Sequence, residues 1–146
     1  MTIETKLAEL GITLPDAPAP AANYVPYVIS GNTLYVSGQI SPVKGRLGAD
    51  LAVEAGAEAA RACGLALLAQ AKAALGSLDR VKRVVRLGGF VNSTPEFTDQ
   101  PEVINGCSNL MVEVFGDKGR HARAAVSAPA LPRGVAVEID AIFEIA

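Results

Sequence analysis

Residues 80–92 read RVKRVVRLGGFVN, a stretch dense in β-branched side chains and therefore a strand. Its position between two helical patterns decides the fold. Upstream, Asp50 is placed to cap a long helix running to about Leu75, with Gly76 at the position where left-handed geometry ends helices. Downstream, Thr98 or Asp99 is placed to cap a second helix that begins near Pro101 and stops at Gly116. Before the first helix, Tyr24 to Ser30, the turn Gly31-Asn32 and the run from Leu34 to Gly38 read as a β-hairpin. After the second, Ala122 to Pro129 and Val135 to Ile145 read as two strands joined at Leu131 to Gly134. Strands alternating with helices argue for one mixed sheet covered on one face by two helices. The uncovered face then has to be buried by association with other subunits.

Within the first helix, Glu54, Glu58, Arg61 and Lys72 share one stripe, and Ala55, Ala59, Ala62, Ala66 and Ala73 share another, which would let the helix lie close on a sheet. Leu65 and Leu68 fall near the charged stripe and would be wet unless something covers them. In the second helix Val103, Cys107, Leu110, Met111 and Val114 make the apolar face, opposite Glu102, Asn109 and Glu113. The charges at Arg80, Lys82, Arg83 and Arg86 fit a solvated strand face or an edge. Gly88 and Gly89, inside a strand, mark a bulge or a close backbone approach. Ahead of all this, the first ten residues read as a short helix with Thr2 as cap and Gly11 as terminator, followed by a Pro-rich strap over residues 15–20. No domain boundary interrupts residues 1–146, so one domain is expected, with residues 1–22 as its N-terminal helix and strap.

Composition excludes several classes. The chain has 146 residues and a net charge of -2, with 13 basic against 15 acidic side chains, so no positive field is present to hold a polyanion. With four Phe, three Tyr and no Trp, few rings are available to stack bases. Nucleic acid is not an expected partner. No apolar run approaches the roughly 20 residues of a membrane-spanning helix, and the N-terminal stretch lacks the pattern of a signal peptide, so a cytoplasmic protein with no membrane association is expected. Cys63 and Cys107 sit in apolar-flanked helical stretches and read as core thiols. His121 is the only histidine, and no CxxC or HExxH spacing occurs, so no metal is expected. A serine-hydrolase triad would need His121 as its base, and no GxSxG elbow is present. Phosphate-cradling GxGxxG and GxxxxGK loops are also absent.

The remaining candidates for chemistry are polar residues on strands. Arg123 precedes Ala124-Ala125-Val126, small residues that leave space beside a guanidinium suited to two parallel hydrogen bonds with a carboxylate. The plain alternative is a strand-end arginine paired with a surface acid. Glu138 and Asp140 alternate with Val137, Ile139 and Ala141, so both acids share one strand face. That face is either solvent or one wall of a crevice opposite Arg123, in which a carboxylate could orient water. Tyr27 offers a hydroxyl or a ring wall, or is simply a half-buried strand residue.

Val25 to Val28 (VPYV), Val36 to Ile40 (VSGQI), Ala122-Arg123 followed by Ala124 to Val126, Leu131-Pro132, and Val137 to Ile142 (VEIDAI) resemble, in order and spacing, the successive signatures of the RidA (YjgF-like) family. The resemblance spans nearly the whole chain. It implies an α+β, chorismate-mutase-like fold, and a homotrimer whose sheets form a central barrel with ligand clefts between subunits. It further implies hydrolysis of enamine and imine intermediates of the 2-aminoacrylate type to 2-oxo acids and ammonia, with no cofactor. Carried over by position, Arg123 matches the carboxylate-binding arginine and Glu138 the acid that positions water; Tyr27, Ser37 and Asn105 match positions lining or supporting the cleft. Where the family often carries a thiol this chain has Ala125, so only the backbone N–H is left there to act. The N-terminal helix and the loop from Gly116 to His121 depart from the common form and mark a divergent branch. Two further readings stand beside the deaminase: a non-catalytic trimer that binds small carboxylates as sensor or scavenger, and an endoribonuclease, against which the acidic balance and the scarcity of aromatics argue.

Overall fold

The computed structural model describes residues 2–17, 19 and 22–146. Of the expected Pro-rich strap, positions 18, 20 and 21 lie outside the described residues, as does Met1. A short helix, α1 (Ile3–Glu9), is capped by Thr2, whose hydroxyl accepts from the Thr5 amide, and the chain leaves it through Gly11 at φ +72°. The hairpin follows as β1 (Tyr27–Ser30) and β2 (Thr33–Ile40), then α2 (Val53–Leu75), β3 (Val81–Asn92), α3 (Gln100–Phe115), β4 (Ala122–Ala128) and β5 (Val137–Ile145). The strands form one sheet in the order β1-β2-β5-β3-β4, with β3 and β4 parallel and every other pair antiparallel. The sheet is therefore mixed, and the fold is α+β.

Alternation along β5 is complete: Val137, Ile139, Ala141, Phe143 and Ile145 are buried, while Glu138, Asp140, Ile142 and Glu144 are half-exposed on the other face. Leu34, Leu87, Ile139 and Phe143 of the sheet and Leu67, Leu68, Ile104, Leu110 and Met111 of α2 and α3 are fully buried in one continuous core. Val28, Tyr35, Ile40, Phe90 and Val126, on the uncovered face, remain 37–49% exposed. That contrast fixes which side of the sheet lacks a cover.

Several local expectations are corrected. Asp50 does not cap α2: the helix starts after a turn in which Leu47 bridges to Leu51, Ala52 occupies the cap position, and the Asp50 carboxylate accepts from the Arg46 amide instead. Asp99 stands at the cap of α3 but makes no capping bond with its side chain. The alanine stripe is only partly the packed face of α2: Ala59 is buried, and Ala55, Ala62 and Ala66 are half-buried. Gly56, Ala60, Cys63, Gly64, Leu67, Leu68 and Ala71 are buried, whereas Ala73 is exposed, because α2 must pack on α3 as well as on the sheet. Leu68 is thus dry, and Leu65 is half-buried and lines a groove together with residues 13–16. β3 is no edge strand, since β5 and β4 flank it, and its exposed Lys82, Arg83 and Arg86 form the solvated strand face that is the other expectation. Its paired glycines serve a close approach: a Cβ on Gly89 would lie 2.7 Å from Ile104 of α3.

The N-terminal helix is fastened to the turn after α2. Glu4 accepts from the Ser77 hydroxyl at 2.8 Å and the Leu78 amide at 3.0 Å, and Asp79 accepts from the Ile3 amide at 2.7 Å. Among the described residues no helix is long and apolar enough to cross a membrane.

Candidate functional site

The parallel pairing of β4 with β3 sets Arg123 beside Leu87, which is buried under the helices, so Arg123 leaves the sheet on the helical side. There α3 presents Pro101, Asn105 and Ser108, spaced i, i+4, i+7 along one stripe. Arg123 Nη1 donates to Asn105 Oδ1 at 2.9 Å and to Ser108 Oγ at 3.0 Å, and Nη2 donates to the Pro101 carbonyl at 3.3 Å. All three acceptors are uncharged. The ion pairs among the described residues are Arg61–Glu113, Arg86–Asp140 and Arg120–Asp117, and none involves Arg123. The guanidinium is therefore held in place with its charge unmatched, and Nε and one N–H of Nη2 remain for a ligand. A strand-end arginine satisfied by a surface acid is not what forms.

The clamp continues to His121. Its Nδ1 contacts the Gly119 carbonyl and its Nε2 lies 2.9 Å from Ser108 Oγ. A carbonyl oxygen only accepts, so Nδ1 carries the hydrogen and Nε2 accepts from the serine hydroxyl. Burial, and then the Arg123 charge, hold this imidazole below the usual histidine range. Asn105, Ser108, Asn109, Arg120, His121 and Arg123 line a cavity of about 280 Å³.

Glu138 is placed differently. It pairs with Ile40 of β2 and Phe90 of β3, both on the uncovered face, so it leaves the sheet on the side opposite to Arg123. The register of β2 against β5 shifts between Val36 and Gln39, and the resulting bulge brings Gly38 under the Glu138 carboxylate, 3.1 Å from Cδ to the position a Cβ would take. Any side chain at Gly38 would displace the acid. Burial, and then the neighbouring Asp140, push the Glu138 carboxyl above the usual carboxylate range. A second cavity, of about 380 Å³, is lined by Tyr24, Ser37, Gly38, Gln70, Arg133 and Glu138. Arg133 stands there in the left-handed region at φ +59°, a conformation that disfavours side chains larger than glycine.

Of the residues singled out by sequence, the structure joins Arg123 directly to Asn105 and sets Glu138 and Ser37 in one cavity. The Ser37 hydroxyl is committed to the Val25 carbonyl at 2.8 Å, so it supports the bulge. Tyr27 lies beside Val36, half-buried against the core, and Ala125 pairs with Gly89, on the same side of β4 as Arg123. Ser108 and His121, in contact with each other, were not paired by sequence reasoning. No spacing rule links a helix residue to a loop residue 13 positions on. Among the described residues, no group of three or more His, Cys, Asp or Glu could hold a metal.

Comparison with known proteins is consistent from end to end. The family model described as "YjgF/chorismate mutase-like, putative endoribonuclease" matches residues 4–143. Protein TCP17 of Trypanosoma cruzi is 54% identical over 150 residues, covering 98% of this chain and 94% of the relative. The crystal structure of Atu1372 from Agrobacterium tumefaciens, described as of unknown function, is 53% identical with a TM-score of 0.92, over 99% of this chain and 92% of that one. TdcF of E. coli, solved with bound serine, is 25% identical with a TM-score of 0.65, over 89% of this chain and 94% of that one. With a family match over nearly every residue and the fold shared with its solved relatives, this chain belongs to the YjgF/RidA-like family.

Proposed function

We propose that this protein hydrolyses reactive 2-imino acids and their enamine tautomers, of the 2-aminoacrylate type, to 2-oxo acids and ammonia. The observation that carries this reading is the guanidinium of Arg123, fixed by Asn105, Ser108 and Pro101 yet without an acidic partner among the described residues. A carboxylate taking the two remaining donors is held at matched charge, and this orients the C=N carbon. Water then adds across the C=N bond, one proton going to nitrogen, and the carbinolamine expels ammonia to leave the ketone. Glu138 orients that water, and burial, which raises its carboxyl above the usual carboxylate range, makes it a better proton acceptor than an exposed acid. Such imines hydrolyse spontaneously, so lowering the barrier by a few kcal/mol is enough, at about 1.4 kcal/mol per tenfold in rate.

Arg123 and Glu138 leave opposite faces of their own sheet, so the reading requires a homotrimer in which the cleft combines one copy's Arg123 with another's Glu138, Tyr27 and Ser37. The apolar uncovered face, with Tyr35, Ile40 and Phe90, supports burial of the sheets against one another as a central barrel. Ala125 contributes only its backbone N–H. The serine bound by TdcF, an amino acid with a carboxylate, supports the ligand class. No cofactor takes part in this scheme.

The test adds the protein to a dehydratase that generates 2-aminoacrylate and follows 2-oxo acid release. Acceleration that Arg123→Ala abolishes supports the proposal; no acceleration by a verified trimer sinks it. The opposite placement of Arg123 and Glu138 within a chain also favours a second reading, a carboxylate-binding trimer without turnover. That reading predicts saturable binding of 2-oxo acids, unchanged by Glu138→Gln, and no rate effect. Ribonuclease action fits the surface poorly, given a net charge of -2.

A further inference from the structure

Behind Arg123 the hydrogen bonds run in one direction: Arg123 Nη1 donates to Ser108 Oγ, Ser108 donates to His121 Nε2, and His121 Nδ1 donates to the Gly119 carbonyl. The charged groups facing this imidazole are cations. Arg123 on β4 and Arg120 in the preceding loop line its cavity, α3 offers the neutral Asn105, Ser108 and Asn109, and Arg83 of β3 donates to the Arg120 carbonyl from outside. Asp117 pairs with Arg120 and is almost fully exposed. Among the described residues no carboxylate lines the cavity.

We propose that Ser108 and His121 form a proton-coupled relay for Arg123, in which capture of a small carboxylate by the guanidinium drives a proton onto His121 Nε2, so that the site holds its ligand more tightly as pH falls. The relay rests on carboxylate binding at Arg123. The anion cancels the repulsion that Arg123 exerts on the imidazolium. Once protonated, Nε2 becomes a donor, and Ser108 Oγ accepts from both Arg123 and His121. Its own hydrogen is then released toward the cavity. Linkage makes the effect reciprocal: whatever factor the ligand adds to proton affinity, the proton adds to ligand affinity. Ser108 and His121 are positioning residues in this scheme, acting through Arg123.

Because His121 is the only histidine, its ring C–H proton gives a single unambiguous NMR titration. Saturating 2-oxobutanoate, a carboxylate throughout the range, is expected to raise the His121 midpoint by about one unit, with affinity about tenfold higher on the acid side than on the basic side. In a Glu138→Gln background, which removes the other titrating group of the cleft, His121→Gln binds the same acid with an affinity that is flat from pH 5 to 8. Ser108→Ala loses the coupling and Ser108→Thr restores it, which loss of packing alone would not produce. Without ligand, Arg123→Gln raises the midpoint. If 2-oxobutanoate binds in an Arg123-dependent way and the midpoint stays still, the relay is wrong while the site reading stands. If the wild-type trimer does not bind it at all, both fall.

Discussion

Gly106 sits on α3 between Asn105 and Ser108, the two residues that hold Arg123, and it faces α2. A Cβ there would lie 2.7 Å from the carbonyl carbon of Ala57 and 3.1 Å from its Cα, with the oxygen nearer still. These are backbone atoms of a packed helix and cannot rotate away. Gly106→Ala therefore forces α3 off α2 by roughly 1 Å, enough to forfeit a quarter to a half of the dispersion energy across the loosened contacts. Overpacking of this kind costs about 3 kcal/mol, and alanine returns about 1 kcal/mol through its better helix propensity, leaving a net loss near 2 kcal/mol. In a chain of this size that lowers Tm by about 4–8 °C. Gly64→Ala is the control. Its Cβ would meet the side-chain ends Leu110 Cδ2 at 2.8 Å and Cys107 Sγ at 3.0 Å, which can shift, so the propensity gain offsets most of the cost. Urea unfolding measures both variants, and binding of 2-oxobutanoate reports whether the Asn105 and Ser108 clamp has moved with the helix. Equal stability of the two variants would refute the argument that backbone contact at Gly106 sets the helix spacing.

Glu138→Gln is expected to lose catalysis and gain stability. An acid with a raised folded-state pKa binds its proton more tightly folded than unfolded, so stability falls as pH climbs from the ordinary carboxylate value through the raised one. The neutral amide escapes that loss, and urea midpoints of variant and wild type should converge below about pH 4; a less stable variant at pH 7 would contradict this. Glu4→Ala removes the acceptor for Ser77 and Leu78 and is expected to loosen α1 by about 2 kcal/mol, read as roughly 30-fold faster amide exchange over residues 3–9. Burial opposes ionisation of Glu4, but the bonds from Ser77 and Leu78 outweigh it and hold the carboxyl below the usual range. Protection of α1 in the wild type should accordingly fade as pH drops through that lowered value, and unchanged protection in acid would count against the clasp.

Much of the architecture was legible because each element carries a local signal. Period-2 alternation in β5, the turn at Gly31, and glycines in the left-handed region at Gly76 (φ +81°) and Gly116 (φ +64°) are properties of a few adjacent residues. Where the reading failed, the deciding partner was remote. The buried face of α2 depends on where α3 crosses it, which made Leu68 core and Ala73 surface. The role of Asp50 depends on a turn that Leu47 anchors against the distant Ser93, and the interior place of β3 on the parallel strand added after α3.

The site divides along the same line. Residue types alone pointed to Arg123 and Glu138, because a guanidinium among small residues and an acid on an alternating strand carry their chemistry with them, and the family resemblance added Asn105. Tertiary structure alone decided that neutral groups hold Arg123, that Glu138 faces the other way across the sheet, and that Ser108 reaches His121. Those facts depend on the pairing of strands far apart in the chain and on the rotation of α3 about its axis. Local composition does not encode either one, because both are set by the packing of the whole core.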